Sequence, residues 1–176
     1  MMIYSFLLEV LKFTLAGIGI VMVAFYMAKP YLENREKLQL LDLKKSASAQ
    51  TLPLRLQAYE RVVLLIDRVN PANLLPRLNA TAYTAAELHS IIVSEVRNEF
   101  QHNVTQQLYV SGRAWQLVKR IKDDTLNLVN NVSKSLPEGS SGLDFSRAIL
   151  SHLSKLEADP YDTAVSMIRT DLEELF

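Results

Sequence analysis

The sequence predicts an all-α protein, with a single N-terminal transmembrane helix followed by an antiparallel bundle of about five helices. Composition is the first reason: the 176 residues include only five glycines and six prolines, and helix-favouring residues fill long stretches. An apolar N-terminal segment is the second, since no charge interrupts the run from Phe13 to Ala28. The alternation of apolar and polar residues that is typical of strands is absent.

The N-terminal segment has the length of a membrane anchor. Residues 3–28 provide about 25 mostly apolar positions, and a helix needs roughly 20 to cross a bilayer. Glu9 and Lys12 would lie in the first turns, where they can pair or reach the headgroups. A cleaved signal peptide and a buried core helix are the alternatives. The flanks disfavour a signal peptide, because no basic residue precedes Lys12 and no Ala-x-Ala pattern ends the segment. We predict an uncleaved anchor over residues 1–28, which contacts the lipid bilayer through residues 3–28.

The basic residues around this segment predict its orientation. Lys12 alone lies near its start, whereas five basic residues follow it: Lys29, Arg35, Lys37, Lys44 and Lys45. Positively charged flanks tend to remain in the cytoplasm. We therefore expect a single-pass protein of the inner (cytoplasmic) membrane, with its N-terminus outside and its C-terminal domain in the cytosol.

The rest of the chain divides into a juxtamembrane helix and linker, residues 29–50, and a cytosolic helical bundle, residues 51–176. The small polar run SASAQT at 46–51 predicts the linker. Thr51 is expected to cap the first bundle helix, with an apolar stripe of Leu56, Tyr59, Val63 and Ile66. Thr84 and Glu87 form a capping box. The long helix that follows should reach about Val110, with a stripe of Ile92, Val96, Phe100 and Val104.

Ser111 and Gly112 offer a break or a new N-cap, and a further helix is predicted from Arg113 to PEGSSG at 137–142, which ends it. Its inward face would be Ala114, Val118, Ile121, Thr125, Val129 and Val132. Two shorter helices complete the chain. The first has an apolar stripe of Phe145, Ile149, Leu153 and Leu156. The second is capped by Asp159 and has a stripe of Tyr161, Val165, Ile168 and Leu172.

Glu95, Glu99 and His102 are the candidate metal ligands, because at helical spacing they fall within about 60° of one another. Glu99 and His102 also have the Glu-x-x-His spacing of di-iron carboxylate bundles. Those sites need a second such unit, and the sequence contains no other. The favoured interpretation is therefore a polar seam, with arginines 55, 61 and 68 as candidate partners of the glutamates, and no metal is predicted. His89, His152 and Trp115 are expected in the core.

Charge and motifs exclude several classes of function. Nineteen basic and nineteen acidic residues make the chain formally neutral, so nothing indicates nucleic-acid binding. Cysteine is absent, which excludes disulfides and zinc-thiolate sites. Neither Gly-x-Ser-x-Gly nor a nucleotide-binding motif occurs. We predict no enzymatic activity, no cofactor and no small-molecule substrate, and a scaffold that binds a protein partner or self-associates. The alternatives are a metal-dependent, membrane-tethered enzyme using Glu95, Glu99 and His102, and a lipid-headgroup-binding module.

Two stretches carry a resemblance to a known family. LPLRLQAYERVVLLIDRVNP at 52–71 and NEFQHNVTQQLYVSGRAW at 98–115 are similar to an uncharacterised family of bacterial membrane-anchored helical proteins. That family has a hydrophobic N-terminal segment, a Leu-Gln-Ala-Tyr-Glu-Arg helix and a Glu-Phe-x-His-Asn block followed by Gln-Gln-x-Tyr-Val-Ser. The resemblance covers nearly the whole chain. It implies a bacterial source and a membrane location. It gives no indication of an activity, because the family has no assigned function.

Overall fold

The computed structural model describes residues 2–174, apart from the side chains of residues 31–34, 36 and 47. Residues 1, 175 and 176, which the predicted anchor and bundle include, lie outside the described residues. Contacts divide the chain into two compact units, one up to Thr51 and one from Leu52 onward. Over residues 2–174 the regular secondary structure is helical, which confirms the predicted all-α class.

Helix α1 extends from Met2 to Val69 and contributes to both units. Its part Met2–Pro30 is long and apolar enough to cross a membrane. Helix α1 continues through SASAQT at 46–51, so the linker predicted there is wrong at the level of secondary structure. Thr51 is not an N-cap: its Oγ1 donates to the carbonyl oxygen of Ser48 at 3.3 Å within the same helix. The run SASAQT contains no glycine or proline that would interrupt a helix.

The second unit contains the end of α1 and five further α-helices among the described residues. They are α2 (Pro71–Leu74), α3 (Ala85–His102), α4 (Gly112–Ser135), α5 (Gly142–Leu153) and α6 (Pro160–Glu173). Short 3-10 turns occupy Leu75–Arg77, Ala80–Ala82 and Val104–Leu108. Helix α4 is central, since it contacts α3, α5 and α6. The end of α1 together with α3, α4, α5 and α6 gives the five longer helices of the predicted bundle.

The inward face of α4 is confirmed in full, because all six of its predicted residues are buried. Thr125 is the polar member of that face. Its Oγ1 donates to the carbonyl oxygen of Ile121 at 2.7 Å and lies 2.8 Å from the hydroxyl of Tyr161 on α6. Burial raises the pKa of Tyr161 to about 12. The hydroxyl therefore stays neutral in the folded protein and joins α4 to α6 inside the core.

The predicted stripes of the other helices are confirmed only in part. On α1, Tyr59 and Ile66 are buried, but Val63 is half-buried and Leu56 is exposed. The buried face of this segment also includes Ala58, Val62, Leu65 and Val69, as expected for a helix with neighbours on two sides. Leu156 is exposed because α5 ends at Leu153, before the predicted stripe does.

Two N-caps are joined to each other at one end of the bundle. Thr84 and Glu87 form the predicted capping box of α3, and the side chain of Ser141 caps α5. An antiparallel bridge connects Thr84 with Ser141, and the amide of Gly142 donates to the carbonyl oxygen of Tyr83 at 2.9 Å. A Cβ at Gly142 would lie 2.5 Å from the carbonyl oxygen of Ala80 and 2.7 Å from that of Tyr83. Only glycine allows this approach of the two backbones.

We expect Gly142→Ala to lower the free energy of unfolding by about 2 to 3 kcal/mol, because the methyl group would meet backbone oxygens that cannot move aside. Gly112→Ala is the matched control. Gly112 is also the first residue of its helix, and a Cβ added there would have no neighbouring atom within 4 Å, so alanine should be neutral or slightly stabilising. Urea unfolding of both variants measures the difference. Equal stability of the two variants would contradict the close approach at Gly142.

Candidate functional site

Three helices meet at a buried carboxylate near the start of α4. The side chain of Asp171 on α6 accepts a hydrogen bond from the hydroxyl of Tyr59 on α1 at 2.5 Å. It also accepts from Ser111 Oγ, at 2.8 Å to Oδ1 and 2.7 Å to Oδ2. The backbone amide of Ser111 donates to the Tyr59 hydroxyl at 3.2 Å, which closes the cluster. We call these three residues the Asp171 cluster.

The side chain of Asp171 lies beside the N-terminus of α4. Ser111 is the N-cap of α4, and its Oγ accepts from the amide of Ala114 at 3.0 Å. The N-terminus of a helix carries partial positive charge, which stabilises a nearby anion. Asp171 is only 5% exposed, yet its oxygens have hydrogen-bond donors from two other helices. Burial, followed by the hydrogen bond to Asp171, raises the pKa of Tyr59, so the phenol remains a donor at neutral pH.

The polar groups of the Asp171 cluster are engaged in hydrogen bonds to one another and to the α4 cap. The hydroxyl of Ser111 is engaged by the α4 cap and by Asp171, and a nucleophilic serine needs a general base in that place. Histidine is the usual base, but the three histidines lie elsewhere: His89 contacts Asn130, His102 ends α3 and His152 is in α5. The hydrogen bonds of the cluster therefore join α1, the start of α4 and α6.

An open groove lies beside this cluster, between α4 and α6. It has a volume of about 380 Å³ and reaches the side of Asp171. Leu117, Met167 and Ile168 give it an apolar floor, with Met167 58% exposed. Arg113 and Arg120 stand on its α4 side. We call it the α4–α6 groove.

The structure does not gather the candidate ligands Glu95, Glu99 and His102 into a metal site. Glu95 and His102 are exposed, whereas Glu99 is half-buried and paired with Arg68 at 3.3 Å. Asn103 Nδ2 also donates to Glu99 Oε1 at 3.0 Å. Over residues 2–174, no group of three or more histidine and carboxylate side chains is placed to share an ion. The expected pairing of a glutamate with an arginine is found for Glu99 and Arg68.

The helix that carries these residues is shorter than predicted. Helix α3 ends at His102 rather than near Val110, and a 3-10 turn follows from Val104 to Leu108. Asn103 explains the early end, because its side-chain amide donates to the carbonyl oxygen of Glu99 at 2.9 Å. That carbonyl would otherwise accept the backbone bond of the next helical turn.

The remaining aromatic and histidine predictions have different outcomes. Trp115 is buried and stacks on Phe100 with ring centroids 5.4 Å apart, which confirms its place in the core. His89 is half-buried and its Nε2 lies 2.7 Å from Asn130 Oδ1. His152 is exposed, so its prediction as a core histidine is wrong. It lies in the last turn of α5, after the last buried residue of that helix, Ile149.

Sequence reasoning missed Asp171, although a signal was present. The buried face of α6 is Tyr161, Ala164, Ile168 and Asp171, which have the spacing of three or four residues that marks one side of a helix. A carboxylate at the fourth position of such a stripe indicates a buried charge with partners. The predicted stripe ends instead at Leu172, which is only half-buried.

Comparison with known proteins adds one finding. The chain matches a family of unknown function, DUF7935, over residues 5–175. It belongs to this family. The DUF7935 match covers both units and includes the two stretches that carried the resemblance, so the assignment to an uncharacterised family is confirmed. Neither curated proteins nor solved structures gave a significant match. For this DUF7935 protein the geometry of the site is therefore the basis for a functional proposal.

We expect Asp171→Ala to lower the free energy of unfolding by about 2 to 3 kcal/mol, because the buried hydroxyl of Tyr59 loses its acceptor. Glu174→Ala is the control from the end of the same helix. Its ion pair with Arg113 is exposed on both sides, so its loss should cost less than about 1 kcal/mol. Chemical unfolding measures both variants. An Asp171→Ala variant as stable as Glu174→Ala would show that the cluster does not hold the helices together.

Proposed function

We propose that this protein is a non-enzymatic, single-pass membrane protein whose helical bundle binds a partner protein. One observation carries the proposal: among the described residues, every buried apolar side chain belongs to the second unit, between Ala58 and Ile168. The bundle has a complete core of its own. The apolar part of α1, Met2–Pro30, has no buried residue in its most apolar window, and a lipid bilayer is the environment that suits such a helix.

We propose the inner membrane, with the bundle in the cytosol. The support is the excess of lysine and arginine after the apolar segment, since such residues resist transfer across the membrane. An anchored bundle whose sequence contains no recognised catalytic motif fits a scaffold, which would hold its partner at the membrane surface.

The α4–α6 groove is the docking surface in this proposal, and its occupant is an acidic amphipathic helix of the partner. Apolar side chains of that helix would cover Leu117, Met167 and Ile168. Arg113 and Arg120 are seven residues apart on α4, about 10 Å along its axis. Carboxylates with the same spacing on the partner helix could pair with both.

The charges within the groove support an acidic occupant. Arg120 has no ion-pair partner among the described side chains, and the pair of Arg113 with Glu174 is exposed. The carboxylate of Asp171 is engaged by Tyr59 and Ser111. Two guanidinium groups are therefore accessible for a partner, and such rim charges guide association and orientation.

Cysteine labelling tests the anchor and its orientation, because the natural chain has no cysteine that would react. We expect Met2→Cys to react with a membrane-impermeant maleimide in intact cells. Ser90→Cys, on the exposed side of α3, should react only after permeabilisation. The intact mass of the extracted protein must include the N-terminal segment. Removal of that segment in cells, or labelling of Ser90→Cys from outside, would contradict the proposal.

A photo-crosslinker tests the groove. With p-benzoylphenylalanine at Met167 in native membranes, we expect crosslinks to an acidic helical segment of another protein. The double charge reversal Arg113→Glu and Arg120→Glu should abolish them, because it replaces attraction with repulsion. The control is the same probe at Leu150, an exposed apolar residue of α5. Crosslinks that are identical at both positions, that persist after charge reversal or that involve a second copy of this chain would contradict the proposed occupant.

A further inference from the structure

A second, polar pocket lies at the junction of α1 with the end of α3. The α1 residues Leu54, Gln57 and Arg61 form one wall. The other wall follows α3 into the 3-10 turn, with His102, Asn103, Gln106 and Tyr109. The volume is about 280 Å³. We call it the His102 pocket, and it shares no lining residue with the α4–α6 groove.

Hydrogen bonds fix the walls of the His102 pocket. The buried side chain of Asn103 donates to the carbonyl oxygen and to Oε1 of Glu99, at 2.9 and 3.0 Å. The carbonyl oxygen of Asn103 accepts from the amide of Gln106 at 3.0 Å, which shapes the turn. Arg55 Nε donates to the carbonyl oxygen of Tyr109 at 3.3 Å and ties the turn to α1. The pocket is therefore shaped by contacts that need no ligand.

Several side chains that line the pocket have hydrogen-bond donors available for a ligand. Gln57, Arg61, His102 and Gln106 have no side-chain hydrogen bond or ion pair within the described part of the chain. The carboxylate of Glu99, one helical turn before Asn103, is held by Arg68 and Asn103. Among the described side chains, no aspartate or glutamate lines the pocket. A guanidinium, an imidazole and two amides thus surround a space that contains no compensating negative charge.

We propose that the His102 pocket binds a phosphate monoester. The planar guanidinium of Arg61 can donate two parallel hydrogen bonds to an oxyanion, and the imidazole of His102 and the two glutamine amides supply further donors. A phosphate monoester has three terminal oxygens to accept them, whereas a carboxylate has two. The volume leaves room for an organic group, which Leu54 and the ring of Tyr109 can contact.

This inference does not depend on the proposed function. The groove could fail to bind a partner while the His102 pocket binds its ligand, because the two surfaces have no residue in common. The same oxyanion could belong to a soluble ester or to a lipid with a monoester headgroup, such as phosphatidic acid. The experiment separates these two sources.

The test uses the full chain in nanodiscs of phosphatidylcholine, with phenyl phosphate as the probe and calorimetry or ligand-observed NMR as the measurement. We expect saturable binding, with benzoate at least about tenfold weaker. Arg61→Gln should weaken phenyl phosphate binding about tenfold or more, because the bidentate contact is lost. His102→Ala should weaken it as well. The control is Arg97→Gln, which removes an exposed arginine of α3 that is not part of the pocket.

Unfolding curves of these variants show whether they fold, and exposed side chains at 61, 97 and 102 should leave them unchanged. Nanodiscs doped with phosphatidic acid distinguish the sources: loss of phenyl phosphate binding there, but not in discs doped with phosphatidylserine, assigns the pocket to the lipid. Unchanged binding in both assigns it to the soluble ester. The proposal is overturned if phenyl phosphate does not bind, or if Arg61→Gln and Arg97→Gln affect its binding equally.

Discussion

The hydrogen bonds of the Asp171 carboxylate are the constraint on which the bundle depends. A buried polar group is costly unless it has hydrogen-bond partners, and the partners of Asp171 come from α1 and from the cap of α4. The carboxylate can therefore be satisfied only when α1, α4 and α6 are in their native places. Burial of apolar residues alone would allow these helices to slide or rotate, because that contribution is not directional. The hydrogen bonds of the Asp171 cluster are directional, so they fix how α1, α4 and α6 are placed relative to one another.

At the other end of the core, the bridge between Thr84 and Ser141 serves a similar purpose for α3 and α5. Both residues are helix caps, so the start of each helix is fixed relative to the other. Gly142 allows the approach of the two backbones. Between these two attachments lies α4, with its apolar face directed inward and its hydroxyl from Thr125 bonded to Tyr161.

The two concave surfaces follow from these attachments. The α4–α6 groove opens beside the Asp171 cluster, and its accessible charges are the arginines of α4. The His102 pocket opens where Asn103 ends α3 and the chain turns away from the helix axis. By spacing alone, the stretch EVRNEFQHN could be half of a metal site. In the structure its residues have separate roles: Glu99 forms an ion pair with Arg68, and His102 lines a polar pocket.

The sequence by itself determined the helical class, the apolar length of the N-terminal helix, the caps at Thr84 and Asp159, and the full inward face of α4. Each of these features depends on residues of a single helix and its cap, so patterns along one stretch of sequence are sufficient. Only the tertiary structure decided the roles of Tyr59 and Asp171, which are 112 residues apart, and the pairing of Glu99 with Arg68. Such contacts depend on how helices pack against each other, and the sequence pattern of one helix does not specify which other helix will contact it.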